Sequence, residues 1–315
     1  MRLDDDIQAK GPWQSVTLSK QTDMKALFVA TDFSTASHNA FLYSLQLAHS
    51  LEAKVILFHA FQQMTLPNLE PTVVIPRQEM QQLVLDRLNQ HLKAAASAVQ
   101  VPVEVHCAEG PCVATILDEA RKAQADLIIS GMKESGKGLR QLFGSTVTGL
   151  ARHSTIPMLV IPEEAGYKQP ATIALASDIA PETDVHTLDA LSVIGQRFHS
   201  KIYIVRVISD RFEEVFELLD RPAKFSRLSR ALETQYEYYK NKHVTDTLTD
   251  FVQQQQVDLV ALVPHQHSLL ERLFFKSTTK SMIFKSSVPL LILPEQKISF
   301  EPASQAGSSF SGRTD

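Results

Sequence analysis

Short apolar runs, each closed by a cluster of polar turn formers, recur along the chain in two series. The first series opens with Ala26-Leu-Phe-Val-Ala30 and stops at Thr31-Asp32-Phe33-Ser34. Phe41, Leu45 and Ala48 then share one helical face, with Ser34 or Thr35 placed to cap the helix. The strand Val55–His59 follows, then a helix presenting Met80, Val84, Leu88 and Leu92, and then the strand Val103–Cys107. A helix around Ile116–Ala123 leads to the strand Leu127–Ser130, a helix from Ser145 to about His153, and the strand Met158–Ile161 between Pro157 and Pro162. Continuous apolar runs predict strands buried on both faces, and their alternation with helices predicts right-handed βαβ units in a parallel sheet.

The second series repeats the first. Thr172–Asp178 echoes the opening strand with its terminal aspartate, and Lys201–Val205 echoes Lys54–Phe58. Asp126-Leu-Ile and Asp258-Leu-Val stand 132 positions apart, as do Pro157–Pro162 and Pro289–Pro294. Two motif pairs at one offset indicate an internal duplication. The expected architecture is α/β: two tandem five-stranded, mostly parallel sheets with helices on both faces, in domains spanning 24–162 and 171–296. The last strands, 157–162 and 289–294, are expected to pair across a pseudo-twofold axis. Each would then cover the other's open edge, giving an intrachain pseudo-dimer. Residues 1–23 read as a polar arm around Trp13, and 297–315, rich in Ser, Gly and Ala, as a disordered tail.

In such sheets ligands lie beyond the carboxyl ends of the strands. Asp32, Ala60 and the segment after Ser130 all fall at those ends. Five of the eleven glycines lie between Gly131 and Gly149, whereas the equivalent place after Val257–Leu262 has none. Glycine lets a backbone turn tightly and aim its N–H groups at an anion. The first loop reads either as a phosphate cradle or as a mobile glycine-rich surface loop.

Composition narrows the partners. A net charge of −4 and a pI near 6.3 argue against nucleic acid or an anionic membrane as partner. The apolar runs are far shorter than the ~20 residues that span a bilayer, and the N-terminus lacks an apolar signal core, so a cytoplasmic protein is expected. Cys107 and Cys112 have no second pair with which to build a zinc site and read as reduced thiols. His265 and His267 read as surface histidines, 210–220 and 269–275 as amphipathic helices, and Tyr236, Tyr238 and Tyr239 as packing in the third strand of the second copy. No nucleophile elbow or Ser-His-Asp order is apparent.

Several of these segments together resemble the universal stress protein family in its tandem form. They are Thr31–Ser34, Phe58-His59-Ala60, Gly110-Pro111 before a helix, Ala125–Ile129, Gly144-Ser145 and Ile156–Pro162. The resemblance implies an adenine nucleotide alpha hydrolase-like fold, a regulatory role in stress response, an unidentified protein partner, and dimers joined through the last strand, which the two copies would mimic within one chain; further association into a homodimer is left open. It also implies ATP or another adenine nucleotide as ligand, held by a G-x2-G-x9-G-[S/T] loop. Here the first glycine is Gly131 and the last pair Gly144-Ser145, but Glu134 replaces the middle glycine. A carboxylate ~4 Å from a phosphate costs about 4 kcal/mol at an effective dielectric of 20, roughly a thousandfold in affinity. Lys133, Lys137 and Arg140 in the same loop offset it. The resemblance assigns Ala30, Asp32 and Ala60 to the adenine side, and Gly131, Gly144, Ser145 and Thr146 to the phosphate side. In the second copy the glycine positions become Val263, Gln266 and Lys276, which confines nucleotide to the first. There a β-branched residue is expected to forbid the tight turn that a glycine makes. A ligand-free interaction scaffold and a weak ATP-using enzyme are the alternatives.

Overall fold

The computed structural model describes residues 23–63, 65–66, 73–95, 100–133, 144–176, 185–208, 225, 228–240, 244–263 and 288–294. The first copy runs β1 (Ala26–Ala30), α1 (Thr35–Leu51), β2 (Lys54–Phe61), a two-residue-strand hairpin β3 (Thr65–Leu66) and β4 (Val73–Val74), and α2 (Arg77–Ala95). It continues through β5 (Val103–Glu109), α3 (Cys112–Lys122), β6 (Leu127–Met132), α4 (Ser145–His153) and β7 (Met158–Pro162). The second runs β8 (Thr172–Ala176), α5 (Asp189–Phe198), β9 (Lys201–Ile208), β10 (Thr234–Lys240), α6 (Val244–Gln254), β11 (Leu259–Leu262) and β12 (Leu290–Ile292).

The two five-stranded sheets expected from the sequence join edge to edge as one ten-stranded sheet. Its ten strands run β10-β9-β8-β11-β12-β7-β6-β1-β2-β5, an order that reads the same from either side of the β12–β7 seam once each strand is replaced by its counterpart. Within each half the pairings are parallel, and the seam is antiparallel, with Leu290, Leu291 and Ile292 opposite Val160, Leu159 and Met158. The expected pairing of the last strands is therefore present, and it fuses the halves. All six seam residues are buried, so unpaired backbone groups on either strand would have no water to bond to.

Two apolar layers flank the sheet. One holds α1, α2 and α5 through Phe41, Leu45, Leu88, Leu191 and Ile194, and the other holds α3, α4 and α6 through Ile116, Leu150, Leu248 and Phe251. The first layer runs unbroken across the seam. The connection between the halves is fixed to α1: Asn39 Nδ2 donates to the carbonyls of Pro162 and Ala165 at 2.9 Å each, and the Tyr167 and Ser50 hydroxyls meet at 2.8 Å.

The duplication extends to single side chains. Asp126 Oδ2 accepts the amides of Lys25 (2.7 Å) and Ala26 (2.9 Å), clamping the start of β1, and Asp258 Oδ2 accepts the amide of Thr172 (2.9 Å) at the start of β8. Two residues ahead of each aspartate, Gln124 (φ 51°) and Gln256 (φ 49°) both take the left-handed conformation that ends the preceding helix. α3 starts at Cys112, directly after the Gly110-Pro111 expected ahead of a helix, with Pro111 as its N-cap at φ −60°. Strands β2 and β5 run past their expected ends because His59, Ala60 and Phe61 stay in register with Cys107, Ala108 and Glu109. The tyrosines of β10 pack as expected, Tyr236 edge-on to Phe225 and Tyr239 to Phe251.

No helix among the described residues is long and apolar enough to cross a membrane. Trp13, Glu134, Lys137, Arg140, His265, Gln266, His267, Lys276, the helices expected at 210–220 and 269–275, and the tail 297–315 lie outside the described residues.

Candidate functional site

A cavity of about 590 Å³ opens beyond the carboxyl ends of β1, β2 and β6. It brings together all seven residues expected from the sequence: Ala30, Asp32, Ala60, Gly131, Gly144, Ser145 and Thr146. Small side chains at the ends of β1 and β2 leave its floor open, and Ile116, Met132 and Val147, all buried, make that floor apolar. A flat heteroaromatic ring fits such a surface.

Three helices point their N-termini at this cavity. α1 is capped internally: Ser34 Oγ accepts the Ser37 amide at 3.2 Å. α3 and α4 begin at Pro111 and Gly144, neither of which gives a side-chain cap, and none of the three helices has an acidic residue in its first turn. Ser, Thr, Asp or Asn at an N-cap stabilises a helix by ~1 kcal/mol. Ending α4 on glycine instead leaves its first amides open toward the cavity, where the positive end of the helix dipole favours an anion. A side chain at Gly144 would meet no atom of the described residues within 4 Å, so packing among them does not require glycine there.

Gly131 is different. A Cβ at this position would lie 2.3 Å from the Ala36 carbonyl oxygen and 2.6 Å from the Ser37 nitrogen. The first turn of α1 crosses directly over it. Its φ is not in the left-handed region, so the tight-turn reason expected for this glycine, and for its loss at Val263, is corrected to close approach of backbone. Val263 is buried at the matching place in the second copy. α1 and α5 end alike, on the left-handed caps Glu52 (φ 57°) and His199 (φ 52°), but α1 has 17 residues and α5 has 10.

Asp32 is exposed at the mouth, with Oδ1 accepting the Ser34 amide at 3.0 Å. Partial burial raises its pKa, but hydrogen bonds from Ser34 and Ser37 outweigh that and hold the carboxyl below its usual value. Asp32 is thus both a loop-capping carboxylate and an acceptor facing the cavity.

Several lining residues were not among the seven assigned to the site from the sequence. Thr31 and Ser37 are buried and share a hydrogen bond at 3.0 Å, and Thr31 Oγ1 also accepts the Phe33 amide. His59 Nδ1 lies 2.7 Å from the Thr31 carbonyl. Cys112, a free thiol at the first position of α3, has its Sγ 3.8 Å from Thr146 Oγ1. Lys133 brings the one cation among the described lining residues. Ser130 was legible as the single polar side chain in β6, where the strand expected from the sequence ends ahead of the glycine loop.

A ten-stranded α/β sheet with helices on both faces and a polar-rimmed cavity at the strand ends defines a doubly wound α/β class. The model of the universal stress protein family matches residues 24–162 and again 172–294, and the chain belongs to that family as a tandem member. A universal stress protein from Archaeoglobus fulgidus DSM 4304 superposes with a TM-score of 0.62 at 15% identity, over 87% of this chain and 97% of that one. A functionally unknown protein from Pseudomonas aeruginosa PAO1 gives 0.55 at 13% identity, over 86% and 93%. A universal stress protein solved in complex with cAMP covers 45% of this chain and 100% of its own, at 22% identity and a TM-score of 0.34. No curated protein matches the sequence.

Proposed function

We propose that the first copy, residues 24–162, binds an adenine nucleotide and that the tandem protein acts as a regulatory module in stress response, with the second copy, 171–296, serving as a structural partner. The supporting observation is Gly144. It stands where neither packing among the described residues nor backbone conformation calls for glycine, at the N-terminus of a helix that shares a cavity with a base-sized floor at Ala30 and Ala60. The base lies toward Ala30, Asp32 and Ala60, and the phosphates toward Gly131, Gly144, Ser145 and Thr146. Burial of Val263 at the place matching Gly131 supports confining the ligand to one copy.

The test is calorimetry and thermal shift with AMP, ADP, ATP and cAMP, together with native mass spectrometry of the purified protein. Binding of at least one nucleotide, lost on Gly144→Asp, is the expected result. Absence of heat, shift and retained mass for all four would leave the interaction scaffold as the reading. Sustained phosphate release abolished by Asp32→Ala would replace it with an enzyme.

A further inference from the structure

Strand β6 alternates its side chains between the two apolar layers: Leu127 and Ile129 enter one, Ile128 the other. By that alternation Ser130 falls on the same face as Ile128, beside Ala30, with which it is in register on β1. That is the cavity side, and Ser130 lines the cavity. Its relative exposure is 6%, and its hydroxyl has no hydrogen-bond partner among the described residues. The other buried hydroxyls lining the cavity, Thr31 and Ser37, are bonded to each other. Buried polar groups are nearly always hydrogen-bonded, and an unmade bond destabilises the fold. An orphan hydroxyl at the floor of an open cavity is therefore kept for something that enters it.

Its position says what that is. Ser130 is paired with Ala30 on the base side and directly precedes Gly131 on the phosphate side. A nucleotide laid between those ends places its sugar there. We infer that Ser130 Oγ hydrogen-bonds a ribose hydroxyl of the bound nucleotide and so makes the site selective for ribonucleotides; this rests on the nucleotide reading above. A serine hydroxyl donates and accepts, as a sugar hydroxyl does, so the pair can form in either direction.

Titrating wild type and Ser130→Ala with AMP, 2′-deoxy-AMP and 3′-deoxy-AMP by calorimetry, with melting temperatures of both unliganded proteins, tests it. A net hydrogen bond implies that Ser130→Ala weakens AMP by about 2- to 13-fold. For the deoxy analogue lacking the partner hydroxyl, the two proteins should bind equally, since the interaction is already gone. The unliganded variant should melt no lower than wild type, because an unsatisfied hydroxyl has been removed. Equal losses for all three nucleotides, no loss for any, or a lowered melting point with unchanged affinities would overturn the inference while leaving the nucleotide site standing. If wild type binds none of the three, the nucleotide reading itself fails and takes this one with it.

Discussion

Replacing Gly131 by alanine sets two physical effects against each other. At an ordinary φ, Gly→Ala stabilises by about 0.4–1 kcal/mol, because the unfolded chain loses freedom. Here the new Cβ would lie 2.3 Å from the Ala36 carbonyl oxygen and 2.4 Å from its carbon. That is roughly 1 Å inside the usual contact of about 3.5 Å. The obstacle is backbone, so no side chain can swing aside, and the first turn of α1 must lift. Lifting it strains the Ser34 cap, worth about 0.5–2 kcal/mol, and the Thr31–Ser37 hydrogen bond, worth about 0.5–1.5 kcal/mol. Overpacking of this kind costs typically 1–3 kcal/mol, which exceeds the entropic gain. The variant should therefore lose about 1–3 kcal/mol in urea unfolding followed by circular dichroism, and melt lower by roughly 2–4 °C for each kcal/mol. Because Ala36 and Ser37 also line the cavity, nucleotide affinity should fall with it. A variant as stable as wild type, or more so, would refute the steric account of this glycine.

Two further outcomes follow from groups away from the cavity. The Asp258 carboxylate, 4% exposed, accepts the Thr172 amide and pairs with Lys168 at 2.5 Å, so Asp258→Ala should cost about 1.5–3 kcal/mol by denaturant unfolding. Unchanged stability would mean that β8 does not need its clamp. His91 is held below the ordinary value of 6.5 by burial first, then by His38, whose Nδ1 lies 3.2 Å from its Nε2, and by Arg87. Between the folded and unfolded pKa values the unfolded chain binds more protons. Stability is therefore full above about pH 6.5 and lost as pH falls through the lower, folded value. The urea midpoint should drop on acidification, and drop less in His91→Gln; parallel slopes would contradict this.

Much of the fold was legible in the sequence because the patterns that encode it are local. Apolar runs, the Ser34 cap, the Ser145 start of α4 and the 132-residue offset identify the strands, helices and duplication with no knowledge of distant neighbours. The seven candidate residues share one cavity because strand ends of a parallel sheet converge whatever the intervening chain length. What only the tertiary structure decided depends on which surfaces meet. Asp126 and Asp258 became clamps only once β1 and β8 were laid beside them. Gly131 is glycine because a turn of α1 passes over it, and Ser130 is an orphan because no described neighbour reaches its hydroxyl; neither fact is written in the residues that flank them.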